Sequence, residues 1–278
     1  MGINVGSGVK QAPGSGRTIH LIYPAQGTAR TVGLGTGNNV STRGGMTVAA
    51  ATITSGGASG GIVVNAWYKG AMPLKFQNLV AGDLATLQMS GTFYPIVEQV
   101  PHVLTANPMQ VFRFLVIAAF PLLPGPIGAA ADVGLELICG NNTNLNNAGN
   151  RPGIMFGPTD VGTFGLRAHK TGIPAYALDR ELSFAAAGLT DVTGWNLYEL
   201  RIVAADQNGP AQLKAFINGQ QFGANVDMSD AAGLIPRLDA AGGFTGYHAQ
   251  FCVSNMGNYS PLVQELHVIT SATEDDSF

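Results

Sequence analysis

Apolar side chains recur at every second position along most of this chain, which is the period of a strand with one buried face. The pattern is clearest between Trp195 and Phe222. Tyr198, Leu200, Ile202 and Ala204 alternate with more polar neighbours. Asp206-Gln207-Asn208-Gly209-Pro210 then breaks the run. Asn-Gly accepts positive φ and Pro210 has no N–H for a ladder, so the chain reverses there. Leu213, Ala215 and Ile217 resume the alternation with Lys214 on the other face, and Asn218-Gly219 marks the next turn. The spacing predicts a hairpin at the centre of an all-β sandwich.

The same reasoning predicts strands at Ile62 to Tyr68, Leu84 to Tyr94, Met109 to Phe120, Val133 to Cys139, Gly153 to Phe156, Thr163 to His169, Tyr247 to Ser254 and Leu262 to Thr270. Met109 to Phe120 is the most apolar and is expected to cross the core. Leu182 to Leu189 has the composition of a single helical turn, and Leu178 to Glu181 reads as a loop. Short strands separated by turn residues indicate a sandwich or barrel. Frequent glycine argues against long helices.

Met1 to Gly61 differs in style. It is rich in Gly, Ser, Thr and Ala, with short strand-capable pieces at Ile19 to Tyr23 and Thr47 to Thr54. Such a stretch loses much entropy on ordering and has little to bury alone. The expected division is an extended arm over 1–61 and a sandwich over 62–278.

Composition sharpens the expectation of assembly. Charged residues make up 11% of the 278, against roughly 25% in ordinary domains. Low charge with abundant apolar residues fits a protomer largely covered by neighbours. The longest uncharged apolar run, Phe114 to Ala131, contains Pro121, Pro124 and Pro126 and so makes a poor spanning helix. No apolar signal core opens the chain, so cytoplasmic synthesis and a soluble product are expected. Cys139 and Cys252 sit in apolar runs and read as buried free thiols. No acidic residue precedes Asp83, whereas Lys10, Arg17, Arg30, Arg43, Lys69 and Lys75 are basic; Glu274-Asp275-Asp276 is acidic. This asymmetry suggests that the basic arm of one copy, through Lys10, Arg17, Arg30 and Arg43, meets the acidic tail of another. The basic residues are too dispersed for a nucleic-acid site.

The pattern of Trp195, Tyr198, Leu200 and Ile202, a turn, then Leu213, Ala215, Ile217, Asn218 and Gly219 resembles the concanavalin A-like, or laminin G-like, jelly-roll family. The closing strand Leu262 to Thr270 extends the resemblance over roughly Met109 to Thr270. It implies an antiparallel two-sheet jelly-roll sandwich. Lectins, glycoside hydrolases and bacteriophage virion proteins share that family, and the glycine-rich, charge-poor style looks most like the virion members.

Candidate chemistry is sparse. Glycoside cleavage needs two carboxylates flanking one bond, and the Glu-x-Asp-x-x-Glu run of the family's hydrolases is absent. Asp179 and Glu181 are two apart but are placed in a loop. Glu199 is expected to pair with Arg201 on an outward face. The five histidines are scattered, and Asp191 and Asp230 look isolated, so neither a metal nor a cofactor is expected. Gly33-x-Gly35-x-Gly37 lacks the following helix and Gly-Lys-Ser/Thr of a phosphate loop. Asn141, Asn142, Asn144, Asn146 and Asn147 form a loop able to hydrogen-bond a neighbouring subunit or sugar hydroxyls, with Tyr247 or Tyr259 as aromatic companions.

These readings converge on a non-enzymatic phage virion structural protein, a capsid decoration or cement subunit that binds the shell and its own copies. The alternative is a carbohydrate-binding tail or fibre module recognising host glycan. Neither a membrane nor nucleic acid is an expected partner.

Overall fold

The computed structural model describes residues 10–11, 18–22, 31–33, 39–41, 47–50, 61–64, 67–71, 73–77, 84–88, 111–122, 132–139, 153–169, 176–203, 209–228, 247–254 and 260–271. The described strands are β1 (Lys10–Gln11), β2 (Thr18–Ile22), β3 (Thr31–Gly33), β4 (Asn39–Ser41), β5 (Thr47–Ala50), β6 (Gly61–Val64), β7 (Leu74–Gln77), β8 (Leu84–Gln88), β9 (Val111–Ala119) and β10 (Asp132–Cys139). They continue with β11 (Gly153–Asp160), β12 (Thr163–His169), β13 (Tyr176–Ser183), β14 (Asn196–Val203), β15 (Gln212–Ile217), β16 (Gln220–Gln221), β17 (Val226–Asp227), β18 (Tyr247–Ser254) and β19 (Leu262–Ser271).

They form two antiparallel sheets. One runs β16-β15-β14-β9-β19-β7-β6-β3, with β17 on β15, β2 on β19 and β1 on β2; the other runs β13-β12-β11-β10-β18-β8-β5-β4. Strands from the first fifty residues therefore pair into both sheets: β2 with β19, and β5 with β8.

Alternation explains which sheet faces meet. Phe112, Phe114, Val116 and Ala118 of β9, Tyr198, Leu200 and Ile202 of β14, and Leu213, Ala215 and Ile217 of β15 point the same way. They pack against Val133, Leu135 and Leu137 of β10, Ile154 and Phe156 of β11, Phe164 and Leu166 of β12, and Phe251 of β18. Aromatic rings fill the seam. Phe164 stacks on Tyr198 at 5.1 Å between centroids and meets Phe156 edge-on at 4.8 Å. Phe120 bridges Tyr198 at 5.5 Å and Phe251 at 6.3 Å. Each fully buried ring contributes on the order of 1.5–3 kcal/mol by removal from water.

The hairpin β14–β15 has its expected partners, with Tyr198 opposite Ile217 and Val203 opposite Gln212. Its position differs from expectation. It lies toward one edge of the larger sheet, and β9 and β19 are central. Alternation reports which face of a strand is buried, not its rank in a sheet. A better indicator of rank is that β9 is buried on both faces: Val111, Leu115 and Ala119, on the side away from the core and interrupted there by Arg113, are buried too.

Residues 182–189 form no helix. Leu182 and Ser183 close β13, and turns follow, with the Ala187 N–H bonded to the Ser183 carbonyl at 2.9 Å. Cross-strand pairing with β12 outweighs the helical leaning of that short run.

Two tight turns need left-handed backbone. Asn218 (φ 51°) and Gly219 (φ 82°) join β15 to β16, as the Asn-Gly pair predicts. Lys69 (φ 43°) and Gly70 (φ 85°) make a second such turn, closed by reciprocal bonds between Tyr68 and Ala71 at 2.8 and 3.0 Å. Elsewhere glycine permits a close strand approach. A Cβ on Gly157 would lie 1.7 Å from the Val133 carbonyl oxygen, and one on Gly134 2.3 Å from that of Phe156. Only bare backbone fits where β10 meets β11 there.

Candidate functional site

The most organised polar cluster outside the core is at one end of the sandwich, where the Tyr68–Ala71 turn meets the segment entering β14. Asp191 is its hub. Its Oδ1 accepts the Thr193 N–H at 2.9 Å and the Thr193 hydroxyl at 2.7 Å. Its Oδ2 accepts Lys69 Nζ at 3.0 Å, and the same ammonium donates to Thr193 Oγ1 at 3.0 Å. The Thr193 hydroxyl and the Lys69 ammonium hold the Asp191 carboxyl down at about 2. The Trp195 indole N–H donates to the Lys69 carbonyl at 3.1 Å, and the Tyr68 hydroxyl donates to the Thr193 carbonyl at 2.7 Å. Tyr68 and Trp195 pack edge to face at 5.7 Å. These contacts hold the lysine in its uncommon left-handed conformation. Trp67 stands exposed beside them.

Below this end, Asn196 and Asn218 splice β14 to the β15–β16 turn. Asn218 Nδ2 donates to Asn196 Oδ1 at 2.8 Å, and Asn218 Oδ1 accepts the Leu197 N–H at 2.9 Å. Asn196 Nδ2 donates to the Asp191 and Gly194 carbonyls at 2.8 and 3.0 Å. Burial pushes the neighbouring Tyr198 phenol above its ordinary range.

A second cluster lies on the face of the larger sheet away from the core. Glu199 receives Arg113 through Nε–Oε1 at 2.7 Å and Nη2–Oε2 at 3.1 Å, and Arg201 through Nε–Oε1 at 2.7 Å. Arg201 also lies over the Phe216 ring at 4.2 Å. Burial pushes the Glu199 carboxyl up, but hydrogen bonds and charge from both guanidiniums outweigh it, and the net direction is down. The expected Glu199–Arg201 pair is therefore present, with a correction: Glu199 is buried, and Arg113 is its bidentate partner. The signal for Arg113 was a lone cation in the most apolar run.

The third cluster corrects the reading of 178–181 as a loop. Asp179 and Glu181 are on β13, spaced two apart and so on one face. Pairing with β12 made this segment a strand despite its charges. Arg167 Nε donates to Asp179 at 3.0 Å, and its Nη2 donates to Glu181. One guanidinium thus bridges the two carboxylates. This arrangement is a cross-strand ion pair of the kind that joins neighbouring strands.

Of the predicted contact residues, Lys10 falls on β1 opposite Ile19. Arg17, Arg30, Arg43, Glu274, Asp275, Asp276 and the asparagines 141, 142, 144, 146 and 147 lie outside the described residues, as does Tyr259. Tyr247 opens β18 opposite Cys139. Cys252 is buried opposite Gly134. Asp191, read as isolated, is instead the most connected carboxylate at the turn end. Asp-x-Thr ahead of a strand is a recognised side-chain-to-backbone turn signal; its lysine partner, 122 residues earlier, left no local trace. Among the described residues no three His, Cys, Asp or Glu side chains gather as metal ligands, and no helix is long and apolar enough to cross a membrane.

Comparison with known proteins speaks to the fold. No protein-family model and no curated protein sequence matches the chain. Among solved structures it is similar to an endo-1,3-beta-glucanase from Streptomyces sioyaensis, with a TM-score of 0.50, 12% identity, and coverage of 94% of this chain and 99% of that one. Winged bean acidic lectin matches with a TM-score of 0.43 and 8% identity over 92% of this chain and 98% of that one. Lotus tetragonolobus seed lectin matches at 0.41 and 10% over 78% and 95%. The fold is an antiparallel two-sheet jelly-roll sandwich. At these identities the likeness describes backbone architecture, and a jelly roll hosts many tasks. Function has to be argued from the three clusters: two are internal ion-pair networks on the jelly roll's sheets, and the third is a rigid, partly apolar end.

Proposed function

We propose that this chain is a non-enzymatic structural subunit of a bacteriophage virion, made in the host cytoplasm, that decorates or cements a capsid and packs against its own copies. One observation carries the reading. The chain has few charges, and among the described residues six of those on its sheets are engaged with one another, in Arg113–Glu199–Arg201 and Arg167–Asp179–Glu181. A surface with so little net field offers weak repulsion between copies, and a stiff two-sheet block binds through area. Repetition on a symmetric lattice multiplies such contacts. The basic N-terminal residues and the acidic tail supply complementary ends for the same packing. Mass spectrometry of purified particles, followed by electron microscopy, tests this. The chain is expected as a stoichiometric component on the shell; its absence from particles while it accumulates free in the lysate refutes the proposal.

A second reading, host-glycan binding, has one feature in its favour: an exposed indole, Trp67, beside the hydrogen-bonding groups of Lys69, Asp191 and Thr193. A glycan array probed with the wild type and Trp67→Ala decides it. Trp67-dependent hits support it, and an empty array removes it.

A further inference from the structure

We infer that β13 is a guarded sheet edge: its successive charges Asp179, Arg180 and Glu181 keep a second copy of this chain from adding its own β13 to the smaller sheet. The inference stands apart from the assembly reading, since it concerns a route of association that is closed whether or not copies meet elsewhere. Among the described residues β13 ends the smaller sheet and pairs only with β12. Residues 178–183 are exposed or half-buried, whereas residues 153–159 of the interior strand β11 are buried. An edge of eight residues with unpaired N–H and C=O groups is a template for another strand. The larger sheet is blunted differently beside it, ending in β16 and β17 of two residues each. Arg180 ties the two edges together: its Nη1 donates to the Ala224 carbonyl, between β16 and β17.

Register shows what the charges do. A two-fold axis that joins two copies edge to edge keeps their outer faces on one side, so directly opposed residues share a face. An axis at Arg180 sets Asp179 against Glu181 of the second copy, twice over, and Arg180 against itself. The same register brings Leu178 to the second Leu182, so the charges are what stand against it. An axis at residue 179 or 181 opposes Asp179 to Asp179 or Glu181 to Glu181. Like charges directly opposite destabilise a strand pair. An axis at residue 178 or 182 escapes the clash but pairs only residues 176–180 or 181–183. Arg167 does not cancel the repulsion, because in each copy one guanidinium serves both Asp179 and Glu181. Those carboxylates stay 47% and 42% exposed, where an added strand would have to cover them.

Sedimentation velocity and amide hydrogen exchange on the full chain, from sub-micromolar to about 100 µM, test the inference. The Arg180→Thr/Glu181→Thr double variant removes the opposed charges, leaves Asp179 to pair with Arg167, and introduces a residue that suits strands without adding a large apolar surface. Arg180→Thr alone loses the tie to Ala224 but still sets Asp179 against Glu181 of a second copy. Circular dichroism and thermal melts confirm that each variant is folded at the temperature used. The double variant is expected to self-associate at least about tenfold more tightly than the wild type, with new exchange protection over residues 176–183 as concentration rises. Arg180→Thr alone is expected to behave as the wild type does. A folded double variant that associates no more than the wild type, or that associates without protecting 176–183, overturns the inference. So does equal association by Arg180→Thr alone, which would trace the effect to the lost tie. Concentration-dependent protection of 176–183 in the wild type would show an edge in use and overturn it as well. None of these outcomes bears on whether the chain is found in particles, which tests the assembly reading separately.

Discussion

Removing the Glu199 carboxylate is the sharpest perturbation the structure offers. Arg113 is 6% exposed and Glu199 3%, so both sides of this ion pair are withdrawn from water. The carboxylate accepts three charge-assisted bonds, at 2.7, 3.1 and 2.7 Å. Glu199→Ala deprives two guanidiniums of their anion while leaving them largely desolvated. Breaking a buried pair in this way costs about 3–5 kcal/mol, a large share of the 5–15 kcal/mol that stabilises a typical domain. At about 2–4 °C per kcal/mol for a chain of this size, the melting temperature should fall by roughly 6–20 °C. Glu199→Gln keeps an acceptor and should lose about half as much. Arg113→Met combined with Glu199→Leu should be less destabilised than Glu199→Leu alone, because the cost lies in the orphaned cation, with a coupling of at least about 1 kcal/mol. Urea melts of these four variants, with Arg113→Met alone to complete the double-mutant cycle, measure each value. The pH dependence has a defined sign. The folded-state carboxyl is lowered from 4.5, so its contribution is complete above that value and is lost as pH falls through the lower folded value. Glu199→Gln should flatten that part of the acid limb. A Glu199→Ala protein melting within about 2 °C of the wild type would refute the reasoning, since it would place the network's net worth near zero.

Three further outcomes are expected. Phe164→Ala removes the ring that touches Tyr198, Phe156, Phe120 and Phe222, and calorimetry should show a loss of about 3–5 kcal/mol. Gly157→Ala would drive a methyl into the Val133 carbonyl and part β10 from β11; a loss of at least about 1–3 kcal/mol in chemical denaturation is expected, although the change adds only one carbon. The Asp191 carboxyl should titrate by NMR near 2, and near its ordinary value of 3.8 when Thr193→Val and Lys69→Met remove its donors; the stability it supplies is present above 3.8 and lost toward 2.

Much of the architecture was legible because strands announce themselves locally. Tyr198, Leu200 and Ile202 against Leu213, Ala215 and Ile217 set both the pairing and the buried face of β14–β15. Asn218-Gly219 named its own turn through the backbone angles it tolerates. Rank in the sheet was not legible, since β9 and β19 meet across about 150 residues of intervening chain and nothing local encodes that choice. The same limit applied to the clusters. Glu199–Arg201 is a two-residue spacing and was visible, while Arg113 joined it through pairing with a strand 86 residues earlier. Asp179 and Glu181 looked like a loop because charged edge strands imitate loops in composition; the register against Arg167 gives them their role. Lys69 and Asp191 belong to distant turns that only the folded end unites.

The central claim, that this jelly roll acts as a stiff, weakly charged block in the company of its own copies, is tested most directly by native mass spectrometry of the full chain. The account predicts defined multiples of 28.7 kDa that persist on dilution. A single species at 28.7 kDa over the whole concentration range would contradict it.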